Sequence, residues 1–169
     1  GAQEWGMNPA AAANVGLRRA RGRFVSPKAA DTYLSDEVVA FLARRDLAEN
    51  AMYRCDRHDV VLGAAELRET DDAALLRRLQ SLETTPHDHL PPPSHWHIRD
   101  LHTNACGDFL LMSGSMWHTV RGFPLDDTVL SLDCDSMIMH AAAALGVRQV
   151  CLPPPCRIYK GTQARLFSN

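Results

Sequence analysis

Apolar residues recur along this chain at two spacings, one typical of helices and one typical of short strands. Near the start, alanine and leucine fall three or four residues apart between Asn8-Pro9, a favourable helix start, and Gly22, a favourable helix end. This spacing predicts a helix with its arginines facing solvent. The positions expected to face the core are Ala10, Ala13, Leu17 and Ala20.

The same patterns predict further helices and short strands in alternation. The predicted helices cover residues 36–45, 66–82 with a break near 70, 115–120 and 136–145, and Gly122 and Gly146 are expected to end the last two. The predicted strands cover residues 23–26, 53–57, 109–112, 149–152 and 157–159, the last as an edge strand. This alternation favours an α/β fold with a small mixed sheet flanked by helices. We expect one domain over residues 1–169, with Gly1 a remnant of an expression tag.

Residues 101–145 place polar side chains at the junctions between predicted elements. Asp108 follows Gly107 directly before the strand at 109–112. Asp135, with Asp133 before it, stands where an N-cap residue precedes a helix. A carboxylate is thus predicted at a helix N-terminus beside a loop, a position typical of catalytic groups.

Residues 84–100 are rich in proline and histidine. Three consecutive prolines, at residues 91–93, lack the N–H donor that regular structure needs, so we predict an exposed loop. Its two H-x-H pairs leave open a zinc site and, with it, a metal-dependent hydrolase. The spacing matches no known zinc motif, and adventitious metal binding is the more ordinary interpretation.

Composition narrows the choice of function. The 169 residues are 46% hydrophobic and carry a formal net charge of -2, which argues against a nucleic-acid-binding surface despite a local cluster of arginines at residues 18–23. Five cysteines without a C-x-x-C pair indicate a reducing compartment, so we expect a cytoplasmic protein. No apolar run approaches the roughly 20 residues of a membrane span, which leaves peripheral membrane attachment open.

Four groups of motifs follow one another along the chain. They are A-N-V-G-L-R-R-A-R-G-R-F-V at residues 13–25, A-D-T-Y-L-S-D-E-V at 30–38, Y-R-C-D-R-H-D-V at 53–60, and, after residue 100, LHTNACGDFLLM, W-x-x-x-R-G-F-P, L-D-x-D-S and R-I-Y. In this order they resemble a bacterial group of GT-A-type glycosyltransferases of family two. The resemblance extends over most of the chain apart from residues 62–100.

The resemblance implies a transferase that uses Mn²⁺ or Mg²⁺, with a nucleotide sugar and a glycan acceptor as partners. It implies Asp31 as a metal ligand and Asp135, with Asp133, as the catalytic base. It implies contacts to the donor and acceptor at Asn14, Arg18, Gly107, Asp108 and Trp117. Each residue type also has an ordinary structural role: the aspartates as caps, Arg18 on a solvated helix face, and Trp117 as a core residue.

Two segments depart from the pattern of the family. Residues 28–30 read Lys-Ala-Ala where relatives carry Thr, Asn and a small residue. Lys160 follows R-I-Y where relatives soon carry a histidine that binds metal, and a protonated lysine cannot ligate a metal. The family also begins with strands that read the nucleotide, about a hundred residues upstream of the first motif. The resemblance therefore implies an incomplete GT-A-like domain.

The leading prediction is a glycosyltransferase-like protein, ancestrally transferring a sugar from a nucleotide-diphosphate donor to an acceptor hydroxyl, either active or inactive in this shortened form. The alternative is a non-catalytic binding or interaction module with the same fold. We expect Asp31 and Asp135 to lie at the same edge of one sheet and to face a common cleft, and we expect only weak binding of uridine diphosphate with manganese. The strand at 23–26 would form an open edge that a second copy could cover in a homodimer.

Overall fold

A computed structural model describes residues 8–29, 31–63, 68, 71–82, 84–86, 101–103, 106–125 and 134–163. These residues form two four-stranded mixed sheets with helices packed against them. The predicted α/β class, with small mixed sheets flanked by helices, is confirmed. The chain differs from the prediction in having two such sheets.

The strands are β1 Phe24–Val25, β2 Thr32–Leu34, β3 Ala51–Arg54, β4 Arg57–Leu62, β5 Thr85–Pro86, β6 Leu110–Ser113, β7 Arg148–Cys151 and β8 Ile158–Gln163. The helices are α1 Pro9–Arg19, α2 Asp36–Ala43, α3 Asp72–Ser81, α4 Gly114–Thr119 and α5 Cys134–Ala144, and a 3₁₀ helix spans Cys106–Asp108.

The first sheet has the order β1-β6-β3-β7, in which β6 is antiparallel to both neighbours and β3 is parallel to β7. The second sheet has the order β2-β8-β4-β5, in which β8 is antiparallel to β2 and parallel to β4, and β5 is antiparallel to β4. The parallel pair β3 and β7 therefore lies at one end of the first sheet, whereas the parallel pair β8 and β4 lies at the centre of the second.

Two parallel strands pass together from the first sheet into the second. β3 leads into β4 through residues 55–56, and β7 leads into β8 through residues 152–157. The two connecting segments remain hydrogen-bonded to each other across the junction, since Leu152 N donates to Arg54 O at 2.9 Å and Ile158 N donates to Asp56 O at 2.9 Å. The predicted strand 53–57 is wrong because the chain changes sheets within it. The predicted strand at 157–159 is confirmed as the beginning of β8, but its predicted edge position is wrong because β8 has a neighbour on each side, which three residues of sequence do not reveal.

The two central strands of the first sheet, β3 and β6, are buried on both faces. Met52 and Leu110 belong to the core beneath α1, α4 and α5, whereas Tyr53 and Leu111 belong to the core beneath α2. Successive side chains of an extended strand point to opposite faces, so a fully apolar strand requires a covering layer on each face. Helix α3 covers one face of the second sheet through Leu79.

Helix α1 begins as predicted. Asn8 Oδ1 accepts a hydrogen bond from the backbone N–H three residues on, at 3.1 Å. The helix ends at Arg19, before Gly22. Of the expected core face, Ala10 and Leu17 are buried, whereas Ala20 is exposed.

Helix α5 is terminated by the predicted glycine, Gly146, whereas α4 ends at Thr119 and the first left-handed residue after it is Arg121, followed by Gly122. Gly122 has a φ angle of +72° and Gly146 a φ angle of +80°, the left-handed conformation of a helix C-terminus. Asp135 lies inside α5, in its first turn, so the prediction that Asp135 stands before the helix as its N-cap is wrong. Asp133 lies outside the described residues.

Most of the predicted loop at 84–100 also lies outside the described residues, including every histidine from His87 to His97. Residues 85–86 pair with β4 as strand β5. Across the described ranges, no helix is long and apolar enough to cross a membrane. Strand β1 forms an edge of the first sheet, and a homodimer through that edge stays a prediction.

Candidate functional site

The 3₁₀ helix at 106–108 lies just before β6, at the edge where the parallel strands β3 and β7 end. Open α/β sheets bind ligands beside the carboxyl ends of their parallel strands. Gly107 lets the N-terminal turn of α5 approach this edge, because a Cβ at residue 107 would collide with the Asp135 carboxylate and lie 3.2 Å from its Cγ. Residues 106–108 therefore bring two aspartates, Asp108 and Asp135, to one place.

Asp108 is buried between two cationic side chains. Arg57 Nη1 donates to Asp108 Oδ2 at 2.7 Å, and Lys160 Nζ donates to Asp108 Oδ1 at 2.7 Å. Arg57 begins β4, whereas Lys160 lies in the adjacent strand β8. Both oxygens of Asp108 are thus held by charge-assisted hydrogen bonds from the second sheet.

Two further aspartates contact the same cations. Asp31 Oδ1 lies 3.2 Å from Lys160 Nζ, and Asp59 Oδ1 lies 2.9 Å from Arg57 Nε. We refer to these five residues, Asp31, Arg57, Asp59, Asp108 and Lys160, as the Asp108 cluster. It joins the first sheet to the second by ion pairs.

The strand registers explain this clustering. Asp59 pairs with Lys160 across β4 and β8, and Lys160 pairs with Thr32 across β8 and β2. Side chains two residues apart on a strand share a face, so Arg57 and Asp59 lie on the same face as Lys160. This face is opposite the one that α3 covers. The loop before β2 is fixed there as well, because the backbone carbonyl of Asp31 accepts from the N–H of residue 161 at 3.0 Å.

The ion pairs dominate the titration of Asp108 and Lys160. Burial by itself would raise the pKa of Asp108, but the hydrogen bonds from Lys160 and Arg57 outweigh it and the pKa is lowered. Burial likewise would lower the pKa of Lys160, and the bonds to Asp108 and Asp31 raise it instead. Lys28 lies nearby, and burial lowers its pKa despite the attraction of Asp31 and Asp108. At neutral pH Asp108 is therefore a carboxylate and Lys160 an ammonium ion.

Asp135 contacts the same 106–108 segment from helix α5. Its Oδ1 accepts from the N–H of Ser136 at 2.9 Å, and its carboxylate packs against Gly107. The pKa of the neighbouring Cys106 thiol is raised by burial and also by the charge of Asp135. Asp135 contacts this segment from helix α5, whereas Asp31 precedes β2 of the second sheet and is linked to the segment only through Lys160 and Asp108. The two aspartates therefore do not lie along one edge of a single sheet as predicted.

Three predicted substrate-binding residues line a second feature, a groove with a volume of about 200 Å³. Its lining consists of Asn14, Leu17, Arg18, Trp117, His118, Arg121 and Gly122. Arg18, His118 and Arg121 are exposed, so they give the groove a basic character.

Asn14 and Trp117 use their polar atoms inside the protein. Asn14 Nδ2 donates to Phe123 O at 2.8 Å, and Phe123 N donates to Asn14 Oδ1 at 2.7 Å. The indole N–H of Trp117 donates to Val25 O at 2.9 Å. Both side chains are buried, so in this structure they support the wall of the groove.

The predicted substrate-binding residues therefore form two groups. Gly107 and Asp108 precede β6, whereas Trp117 and the groove follow it. Four strand residues span about 13 Å at 3.3 Å per residue. The two groups therefore lie at opposite ends of β6, which is buried at every residue.

The residues near Asp31 do not fit a Mn²⁺ or Mg²⁺ site. A divalent cation needs several oxygen ligands around it, but the Lys160 ammonium already lies between the carboxylates of Asp31 and Asp108. Across the part of the chain that the structure describes, no three His, Cys, Asp or Glu side chains come together to hold a metal ion. The four histidines of the predicted loop at 84–100 lie outside that part of the chain. His102, which follows the loop, is described.

Sequence reasoning missed Arg57 and Asp59 as members of the site. The sequence places them at the polar end of the predicted strand 53–57, whereas in the structure they lie at the beginning of the following strand, β4. An R-x-D pattern at the start of an extended segment is the signal that could have found them, because it places opposite charges on one face.

No protein-family model matches this chain, and no curated protein matches it significantly. The glycosyltransferase resemblance therefore depends on the motifs alone.

Proposed function

We propose that this chain is a glycosyltransferase-like domain with a GT-A-like fold, acting on a sugar carried by a nucleotide diphosphate. The observation that supports this proposal is that Asp31 and Asp108 share the Lys160 ammonium, while Asp135 packs against Gly107, at the edge where β3 and β7 end. The family resemblance places these acidic residues on the donor and acceptor sides of the reaction.

Asp135 is the proposed general base. It lies in the first turn of α5, where the helix dipole favours a carboxylate, and among the described residues its carboxylate is not in an ion pair with a cation. An ionised carboxylate beside an acceptor hydroxyl can take the proton as that oxygen attacks the sugar. Asp108, by contrast, has both oxygens engaged by Arg57 and Lys160, which suits a positioning residue.

The experiment is a turnover assay with a panel of nucleotide sugars, in which release of the nucleoside diphosphate is measured. We expect release with at least one donor and a loss of about a hundredfold or more in Asp135→Asn, the range typical for removal of a general base. Asp72→Asn is the matched control, since Asp72 occupies the first turn of α3 and takes no part in the site. Equal turnover in Asp135→Asn and the wild type would contradict the assignment of the base.

A non-catalytic binding module is the second candidate. It is favoured by the ion pairs of Asp108, which engage both of its oxygens and leave this carboxylate unavailable to a ligand without rearrangement. In that case the chain binds a sugar ligand, releases no nucleoside diphosphate from any donor, and binds equally well after Asp135→Asn. Turnover and binding measured on the same two proteins separate the candidates.

A further inference from the structure

The most unusual feature of the candidate site is the position of the Lys160 ammonium. We propose that Lys160 takes the place of the divalent cation, so that ligands bind at the Asp108 cluster without a metal ion. This inference rests on the proposed function only for the expectation that a cation belongs there.

The geometry of the contacts supports this exchange. Lys160 Nζ is 2.7 Å from Asp108 Oδ1 and 3.2 Å from Asp31 Oδ1, so one positive charge bridges the two carboxylates. The remaining oxygen of Asp108 accepts from Arg57 Nη1 at 2.7 Å. A metal ion would have to displace Lys160 from both partners and would then lie beside Arg57.

The fold keeps Lys160 in this position. Strand β8 is bonded to β2 on one side and to β4 on the other, and Lys160 is in register with Thr32 and Asp59. Its side chain is 24% exposed and the Asp108 side chain only 8%. Moving the ammonium into water would leave the buried Asp108 carboxylate with a single cationic partner, which is unfavourable.

The position also leaves a donor for a ligand. An ammonium group has three N–H donors, and Asp31 and Asp108 use two of them. Among the described residues Lys160 has no third hydrogen-bond acceptor, so one N–H can meet an anionic oxygen, such as one of a sugar-linked diphosphate. A single point charge with one open donor can replace part of what a metal ion supplies to such a ligand.

The test is a titration with Mn²⁺ in the absence of nucleotide, in which electron paramagnetic resonance measures the concentration of unbound Mn²⁺. The wild type is expected to bind no Mn²⁺ specifically below about 1 mM, the weak end of protein cation sites. Lys160→His removes the bridging charge and adds an imidazole ligand, so we expect Mn²⁺ to bind at least about tenfold more tightly than to the wild type. Lys160→Arg keeps the charge and should behave as the wild type does.

Two outcomes would overturn the inference. One is micromolar Mn²⁺ binding by the wild type that disappears in Asp31→Asn. The other is a Lys160→His protein, folded by circular dichroism, that binds Mn²⁺ no better than the wild type. The wild-type arm needs no variant and so remains decisive if Lys160→His does not fold. Because no nucleotide sugar is present, absence of turnover in the assay of the proposed function does not affect this result.

Discussion

Replacing Asn14 by alanine removes two buried hydrogen bonds that connect α1 to the turn after α4. The side-chain amide donates to Phe123 O at 2.8 Å and accepts from Phe123 N at 2.7 Å, and both residues are buried. The variant leaves one backbone N–H and one backbone C=O without these partners. The turn also has an unusual backbone conformation, since Arg121 and Gly122 both have positive φ angles.

The expected loss follows from these two bonds. A buried group left without its partner costs about 1–1.5 kcal/mol, so the pair costs about 2–3 kcal/mol. Alanine is the better helix former by about 0.5 kcal/mol, which leaves a net loss of about 2 kcal/mol in the free energy of unfolding. For a chain of this size, that loss corresponds to a decrease of about 4–8 °C in melting temperature.

Urea unfolding followed by circular dichroism, together with a thermal scan, measures both quantities. Arg19→Ala is the control, because Arg19 is exposed on the same helix and its loss should change stability by less than about 0.5 kcal/mol. If Asn14→Ala and Arg19→Ala unfold at the same urea concentration, the two bonds do not stabilise the fold and the reasoning fails.

Two further predictions concern the candidate site. Gly107→Ala should destabilise the protein by about 1–3 kcal/mol, because its Cβ would overlap the Asp135 carboxylate. Gly16→Ala is the control: the added methyl has open space around it in α1 and should stabilise the protein by about 0.5–1 kcal/mol. If urea unfolding shows the reverse order of stability, residue 107 is not closely packed. Asp108→Asn should be less stable than the wild type at about pH 7, and this difference in the free energy of unfolding should shrink as the pH falls to about 3. The reason is that the pKa of Asp108 is lower in the folded state than its unfolded value near 3.8. The ionised carboxylate therefore stabilises the fold above the unfolded pKa, and this stabilisation is lost as the pH falls through the folded pKa. An equal difference at both pH values would show that the Asp108 charge does not contribute.

Local sequence determined where several elements begin and end. Asn8-Pro9 begins α1, Ser35 caps α2 by accepting from Val38 N at 3.4 Å, and Gly146 follows α5 in the left-handed conformation. These features depend on a few adjacent residues, whose backbone donors and allowed φ angles act over one turn. The α/β class followed from the alternation of apolar runs for the same reason.

The tertiary structure decided which charges meet. Arg57, Asp108 and Lys160 follow one another at intervals of roughly fifty residues along the chain. Their contact requires the chain to pass from the first sheet into the second after both β3 and β7, so that β4 and β8 pair there. No local pattern specifies that crossing, because it depends on the hydrogen bonds of Leu152 to Arg54 and of Ile158 to Asp56. Lys160 in the sequence indicated only that a metal ligand was missing. Its position between two carboxylates is set by the register of three strands, which pairing between distant segments alone determines.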